Sequence, residues 1–459
     1  MSKKKPDISA DLAGIKSPNP FWLASAPPTN SGYQIMRAFE AGWGGAVWKT
    51  LGHEPIVNVS SRYGSLDHDG RRMVGFNNIE LITDRTLETN LKEVAEIKRE
   101  FPDHAVVVSL MVESKREAWH DIVKRTEDTG CDGLELNFGC PHGMSERGMG
   151  SAVGQVPEYT KMVTEWVKEV AQTPVLIKLT PNVADIRPAG RAAREGGADG
   201  VSLINTINSI IGVDLDTLSP VPSVDGMGSH GGYCGPAVKP IALNMVQKLA
   251  ADPEFDIPIS GIGGVQAWQD AIEFMLLGAG NVQVCTAVMH YGFRIVEHLI
   301  SGLENWMLEK GFNTLDDFVG KTVGAVGDWN NLNLGYKVVA EIDQSKCIHC
   351  GLCYIACEDG AHQSINSSRI DVDSYSGSAA TLTSAGKDYT AGAGEGYINL
   401  YEINQETCVG CNLCSIVCPA DGCISMIEKE STIPRMTWPE YQEKVARGEM
   451  DPIPPPEHI

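Results

Sequence analysis

The 459-residue chain lacks several features whose absence narrows its class. No stretch of eighteen or more apolar residues occurs, the length a helix needs to cross a bilayer, so no membrane association is expected. The basic opening from Met1 to Lys5 leads into Pro6 and Asp7 instead of an apolar run. No signal peptide is therefore expected, and a cytoplasmic location is. Positive charge is scarce: 37 Lys and Arg against 59 Asp and Glu leave a formal net charge of -22. Such a field repels nucleic acid and acidic lipid, which leaves small molecules and other proteins as partners. No expected strand is followed by the Gly-x-Gly-x-x-Gly turn of a dinucleotide fold, so NAD(H) is not expected to bind this chain.

A disulfide framework is excluded as well, although thirteen cysteines are present. Eight of them fall in two compact runs, while Cys131, Cys140, Cys234, Cys285 and Cys423 are scattered. That distribution means metal ligation in a reducing compartment. The runs are Cys347, Cys350, Cys353, Cys357 and Cys408, Cys411, Cys414, Cys418, the second followed by Pro419. Both follow the bacterial ferredoxin spacing, in which three thiolates meet one iron–sulfur cube and the fourth ligates the other. Cys347, Cys350, Cys353 and Cys418 are thus expected to hold one [4Fe–4S] cluster, and Cys408, Cys411, Cys414 and Cys357 the second. Gly351 and Gly410 are expected to let the backbone pass close to inorganic sulfur. The competing use of paired Cys-x-x-Cys is zinc, which needs only four thiolates in a tetrahedron. Two cubes form a wire for single electrons, and a wire implies a two-electron centre at one end.

Upstream of the cysteines, short apolar runs alternate with amphipathic helical patterns. Strands are expected near 21–25, 45–49, 105–110, 133–137, 175–179, 200–204, 257–260 and 281–284, with helices at 87–100, 115–129, 157–171 and 265–277. Eight β-α units predict an α/β fold, a (β/α)8 TIM barrel over residues 1–310, in preference to a doubly wound sheet that would want the missing glycine turn. The remaining chain divides into a linker at 311–340, a 2[4Fe-4S] ferredoxin-like domain at 341–430 with an insertion near 365–400, and an extended tail at 431–459. The insertion includes a Gly, Ser, Thr and Ala-rich stretch from Ser374 to Gly396, and Pro454 to Pro456 close the tail. Barrel chemistry sits at the carboxyl ends of the strands. Polar residues collect there: Lys49, Asn137, Lys178, Asn205, Thr206, Gly261 to Gly264, Cys285 and Thr286. Ser260 to Gly264, leading into a helix from Val265, suits a phosphate, with Thr286 as a hydroxyl donor. This describes a flavin mononucleotide (FMN) site, with phosphate near Gly263, Gly264 and Thr286 and the ring reached by Lys49, Lys178 and Asn205. A flavin takes a hydride pair on one side and passes single electrons to clusters on the other.

Several segments together carry a resemblance: AVWKT (46–50), FNNIE (76–80), LELNFGCPHGMSERGMG (134–150), IKLTPNVADI (177–186), GGADGVSLINT (196–206), PISGIGG (258–264) and VQVC (282–285). They are similar to the flavin barrel of the dihydropyrimidine dehydrogenase family, which is related to the dihydroorotate dehydrogenases. The joined cysteine runs resemble the iron–sulfur domain of its bacterial NAD-dependent catalytic subunits. The resemblance implies reduction of the 5,6 double bond of uracil or thymine, with Cys140 as the acid/base and His142 influencing its proton. It implies substrate contacts from Asn78, Glu80, Asn137, Asn205 and Thr206. Flavin contacts are implied for Lys49, Lys178, Asn205, Gly235, Gly263, Gly264, Cys285 and Thr286. It further implies a separate FAD and iron–sulfur subunit that oxidises NAD(P)H, in a heterotetramer with two copies of each subunit. Departures are Gly139, where the family commonly has serine, Glu358, where a proline follows the first cysteine run, and the loop 213–230 over the barrel mouth. A dihydroorotate-class enzyme, with Arg147 open to a carboxylate, and a non-catalytic electron-transfer module are the other readings.

Overall fold

The computed structural model describes residues 5–371, 397–453 and their contacts in two compact units, 1–326 and 327–459. The stretch from Ser374 to Gly396 and the prolines at 454–456 lie outside the described residues.

In the first unit eight parallel strands close into a barrel. In chain order they are β1 Phe21–Leu23, β2 Gly45–Leu51, β3 Ala105–Leu110, β4 Gly133–Asn137, β5 Val175–Lys178, β6 Gly200–Leu203, β7 Ile259–Ile262 and β8 Ala279–Val284. Neighbours around the ring are also neighbours in sequence, with β8 pairing β1 to close it. Parallel strands covered on both faces read as near-continuous apolar runs, which is why they stood out in the sequence. Their outward side chains, such as Leu134, Leu136, Val201 and Val282, are buried in one large core under the helices. The helices form where the 3.6-residue pattern meets a stop or start signal. Leu87–Glu100 begins at Thr86, whose side chain accepts from the Thr89 amide, and carries Lys98 and Arg99 in its last turn, where the helix dipole favours cations.

Two excursions between strands were not anticipated. Tyr63–His68, Arg71–Asn78, Ile207–Ser209 and Gly231–Cys234 join into a four-stranded antiparallel sheet, and Gly212–Asp214 pairs with Ser219–Val221 as a separate hairpin within the 213–230 loop. In the four-stranded sheet Gly232 stands opposite Asn78, which ties the second excursion to the first.

The boundary expected at residue 310 is corrected by sixteen residues. Leu315 and Phe318 belong to the barrel core, and the Gly320 and Thr322 amides bond to the carbonyls of Met275 and Leu276. Burying Phe318 completely anchors this stretch to the barrel, so it is no free linker. The far end of the expected linker is also structured, because Lys337–Ile342 pairs antiparallel with Ile424–Lys429.

The second unit repeats itself. Helices Leu352–Gly360 and Leu413–Val417 start at equivalent places in the two cysteine runs, and each is preceded by a left-handed residue, Gly351 (φ 77°) or Asn412 (φ 70°). Two residues earlier His349 (φ 58°) and Gly410 (φ 71°) match in the same way. Pro419 forbids continuation of the second helix, whereas Glu358 lets the first run to Gly360. A Cβ on Gly410 would lie 2.3 Å from the Val338 carbonyl oxygen, and one on Gly351 2.7 Å from the Tyr401 hydroxyl. Left-handed backbone and close packing against protein atoms therefore account for both glycines. Strands Ile365–Asp371 and Tyr397–Ile403 pair antiparallel and flank the insertion. The tail is not extended throughout: Trp438–Ala446 is a helix, started by Glu440, whose carboxylate accepts from the Thr437 amide and hydroxyl.

Candidate active site

The carboxyl ends of the barrel strands and the antiparallel sheet line a cleft of about 1160 Å³ counted with its solvent-open mouth. The residues named from sequence as candidate substrate and cofactor contacts line it. Lys49, Asn137, Lys178, Asn205 and Thr206 arrive from strand ends, Asn78, Glu80 and Gly235 from the excursions, and Gly263, Gly264, Cys285 and Thr286 from the turns after β7 and β8. Cys140 enters from the loop after β4. Arg147 is exposed and is not among the lining residues.

The amides are locked in orientation by neighbours. Asn137 donates through Nδ2 to Thr50 Oγ1 at 3.0 Å, and its Oδ1 accepts from Asn205 Nδ2 at 2.9 Å and from the Gly139 amide at 3.2 Å. Thr50 Oγ1 is in turn 2.9 Å from Ser109 Oγ and 3.1 Å from Ser25 Oγ. Asn205 Oδ1 accepts from the Thr206 amide at 2.8 Å, and Asn78 Nδ2 donates to the Gly232 carbonyl at 3.2 Å. With their oxygens engaged, Asn137 and Asn205 each have one N–H left to offer. Asn78 retains an oxygen acceptor. The set suits a flat ring carrying both carbonyl and N–H groups.

Cations in the cleft are balanced by carboxylates. Lys49 is paired with Glu80, and both side chains are almost fully buried. Glu80 also accepts from the Tyr63 hydroxyl and faces Arg62 at 3.6 Å. Burial, and then Glu80 itself, push the Tyr63 hydroxyl above its ordinary range. Lys178 lies 3.5 Å from Glu135, on the barrel interior. Tyr63, Glu135 and Gln283 were missed in the sequence. The available signal was alternation: Glu135 and Asn137 share a face of β4, and Gln283 interrupts the apolar run of β8.

Cys140 packs among Ile82, Met111, Met144 and Met149. Its thiol donates to the His142 carbonyl at 3.5 Å, and burial pushes its pKa up to about 11. It is therefore held neutral and can give a proton. His142 is buried, with Nε2 3.3 Å from the Glu80 carbonyl. Cys234, the weaker candidate, accepts from Thr286 Oγ1 at 3.3 Å, which ties its loop to the turn after β8.

The residues fit a flavin phosphate in one respect and correct the expectation in another. Gly263 (φ 131°) and Gly264 (φ 78°) hold backbone that other residues rarely adopt, and a Cβ at either would lie 2.8 Å from a neighbouring side chain. The next helix, however, starts at Trp268 and not at Val265, because Asp270 accepts from the Gln266 and Ala267 amides. Those amides are occupied, so an anion would be met by the turns at 263–264 and 285–286.

In the second unit one cavity of about 310 Å³ is lined by Cys347, Cys350, Cys353 and Cys418, joined by Cys423. Another of about 360 Å³ is lined by Cys357, Cys408, Cys411 and Cys414. The fourth cysteine of each run thus sits with the first three of the other. Among the described residues no three His, Cys, Asp or Glu side chains converge as one metal ion requires. The thiols of each set ring a space instead.

Barrel, cleft and cysteine-lined unit together define a barrel oxidoreductase with an iron–sulfur domain. A family model described as dihydroorotate dehydrogenase matches residues 8–307, and one described as a 4Fe-4S dicluster domain matches residues 346–422. The chain belongs to the dihydroorotate dehydrogenase family and is an enzyme of the pyrimidine and orotate-related oxidoreductases. It is 41% identical over 360 residues to the NAD-dependent dihydropyrimidine dehydrogenase subunit PreA of Escherichia coli K12, covering 78% of this chain and 87% of that one. It is 43% identical over 333 residues to the chloroplastic dihydropyrimidine dehydrogenase (NADP(+)) of Arabidopsis thaliana, covering 70% and 78%. To the catalytic subunit of dihydroorotate dehydrogenase B (NAD(+)) of Pyrococcus abyssi it is 38% identical over 319 residues, covering 68% and 98%. Among the described residues no helix is long and apolar enough to cross a membrane.

Proposed function

We propose that the chain is the catalytic subunit of a dihydropyrimidine dehydrogenase, interconverting uracil or thymine and the 5,6-dihydropyrimidine. The observation that carries the reading is the balance of charge and amide orientation in the cleft. Lys49 is closed onto the buried Glu80 and the charge of Lys178 is offset by the buried Glu135, so among the described lining residues a ring bearing its own carboxylate would meet Glu80 with no lysine whose charge is uncompensated. A neutral ring is favoured over a dihydroorotate-type acid. Its carbonyls take the spare N–H groups of Asn137 and Asn205, and a ring N–H takes the Asn78 oxygen. Each group left unpaired where the ring is buried would cost about 1–3 kcal/mol, enough to sort substrates.

Lys49, Lys178, Asn205, Gly235, Gly263, Gly264, Cys285 and Thr286 would hold FMN, which when bound supplies a hydride at N5 for ring carbon 6. As negative charge grows toward the ring carbonyl conjugated with the double bond, the spare amide N–H groups stabilise it. Cys140 donates the proton to carbon 5, and its neutral, buried thiol suits that role. In the reverse direction the thiolate is the base. The two cysteine sets would hold two [4Fe–4S] clusters that relay single electrons. The E. coli relative is named as a subunit of an NAD-dependent enzyme. A partner carrying FAD and the NAD(P)H site, two copies of each subunit, and a cytoplasmic location follow as parts of the same proposal.

Anaerobic photoreduction of the isolated protein, followed by uracil, thymine, orotate and hydantoin-type ligands in turn, tests it. Uracil or thymine is expected to reoxidise the bleached flavin. Reoxidation by orotate alone, or by none of them, would overturn the reading.

A further inference from the structure

The carboxylate that offsets Lys178 in the reading above does not itself line the cleft. Glu135 is fully buried, on the inward face of β4 two residues below Asn137. Its Oε2 accepts from Ser202 Oγ at 2.7 Å and from Gln283 Nε2 at 3.2 Å. Gln283 Nε2 is also 3.1 Å from Ser260 Oγ. Its other oxygen, Oε1, has no hydrogen-bond partner and stands 3.5 Å from Lys178 Nζ. Four strands, β4, β5, β6 and β7, together with β8, thus contribute side chains to one buried polar layer whose charged members are Glu135 and Lys178.

A carboxylate taken wholly out of water costs several kcal/mol unless donors and a counter-charge compensate it. A merely structural pair would be expected to close to hydrogen-bond distance. Lys178 instead stays beyond it, lines the cleft, and donates to no described side chain. Its N–H groups are left to face a ligand, while its charge is offset by Glu135 from beneath. By contrast Lys49 is closed tightly onto Glu80.

We propose that Glu135 is a positioning residue that sets the net charge Lys178 presents to the bound cofactor ring. This rests on the reading of the cleft as a flavin site. The electron pair that reduction places on the ring is stabilised by Lys178 and opposed by Glu135. The two side chains therefore act on the flavin potential with opposite signs, and the pair, not the lysine alone, decides how readily the flavin accepts electrons.

The test equilibrates the reconstituted full chain against a reference redox dye and reads the ratio of reduced to oxidised flavin. Glu135→Gln keeps the shape and leaves an oxygen for the Ser202 and Gln283 donors while removing the charge. It is expected to move the ratio about tenfold toward reduced flavin, the scale of one unit charge a few ångströms further away in a partly screened site. Lys178→Gln is expected to move it about tenfold the other way, and the double variant to return within about threefold of wild type. A purely structural role for Glu135 predicts no such reversal of sign. An unchanged ratio in Glu135→Gln, or a shift in the same direction as Lys178→Gln, overturns the proposal. Thermal unfolding of each variant identifies one that fails to fold, and Glu135→Asp, which restores the charge, is then expected to restore the wild-type ratio; its failure to do so counts against the proposal. Wild-type protein that takes up no flavin overturns the flavin reading and this proposal with it.

Discussion

Adding a single methyl at residue 139 probes the cleft directly. A Cβ on Gly139 would fall 2.4 Å from Asn205 Cβ, 2.5 Å from its Nδ2 and 2.7 Å from its Cγ. Ordinary contacts between such atoms need about 3.5 Å or more. Asn205 must then retreat by roughly 1 Å, which breaks its 2.9 Å bond to Asn137 Oδ1. Overpacking of this kind costs about 1–3 kcal/mol, and a buried amide left unpaired a similar amount. If a kilocalorie or two of that falls on the transition state, Gly139→Ala lowers kcat/KM for the pyrimidine about 5–30-fold. Gly139→Ser, which installs the residue suggested by the family resemblance, adds a hydroxyl to the same collision and is expected to lose at least as much. Asn205→Gly in the Gly139→Ala background removes the colliding Cβ as well as the amide, so the double variant should be no worse than Asn205→Gly alone. Steady-state kinetics with uracil and thermal unfolding of each variant measure both parts. A Gly139→Ala enzyme with wild-type kinetics and an unchanged Tm would refute the argument.

Cys140→Ala is expected to keep its flavin and iron content while turnover falls about 10²–10⁴-fold; undiminished turnover removes the thiol from the mechanism. The pH dependence has a definite sign. Burial pushes the Cys140 and Cys234 thiols up to about 11 and Cys285 up to about 12, against an ordinary value near 9.0. Above pH 9 the unfolded chain releases these protons first, so their contribution to stability is complete below pH 9 and is lost as pH rises through about 11 for Cys140 and Cys234 and about 12 for Cys285. The Tm of the flavin-free chain should fall over that window, and less steeply in a Cys234→Ala variant; equal slopes would count against it. Cys418→Ala should disturb the cluster assigned to Cys347, Cys350 and Cys353, as read by iron content and low-temperature spectra of the reduced protein. Loss confined to the other cluster would undo the crossed assignment.

Much of the barrel was legible because parallel strands buried on both faces leave uninterrupted apolar runs. All eight strands appear where those runs stand, and Leu87–Glu100 matches its expected span. The cleft was partly legible for a related reason: in a barrel, side chains that follow strand ends must converge on one mouth. The antiparallel sheet was not. Its strands Ile207–Ser209 and Gly231–Cys234 are short and partly exposed, and the partner that completes them, Arg71–Asn78, lies more than a hundred residues away in sequence. The prolines at 454–456 suggest an extended tail, whereas Thr437 and Glu440 supply the start signal of its helix locally.

Local spacing alone determined the two cysteine runs, since short spacers leave the thiolates few ways to meet. Hydrophobic periodicity likewise determined the barrel. What only the folded chain decided is polarity: which atom each asparagine turns to the cleft, that each lysine has a carboxylate beside it, and that Gly139 makes room for Asn205. Those outcomes depend on contacts between residues tens of positions apart. Such contacts exist only once the strands have closed, and no local pattern encodes them.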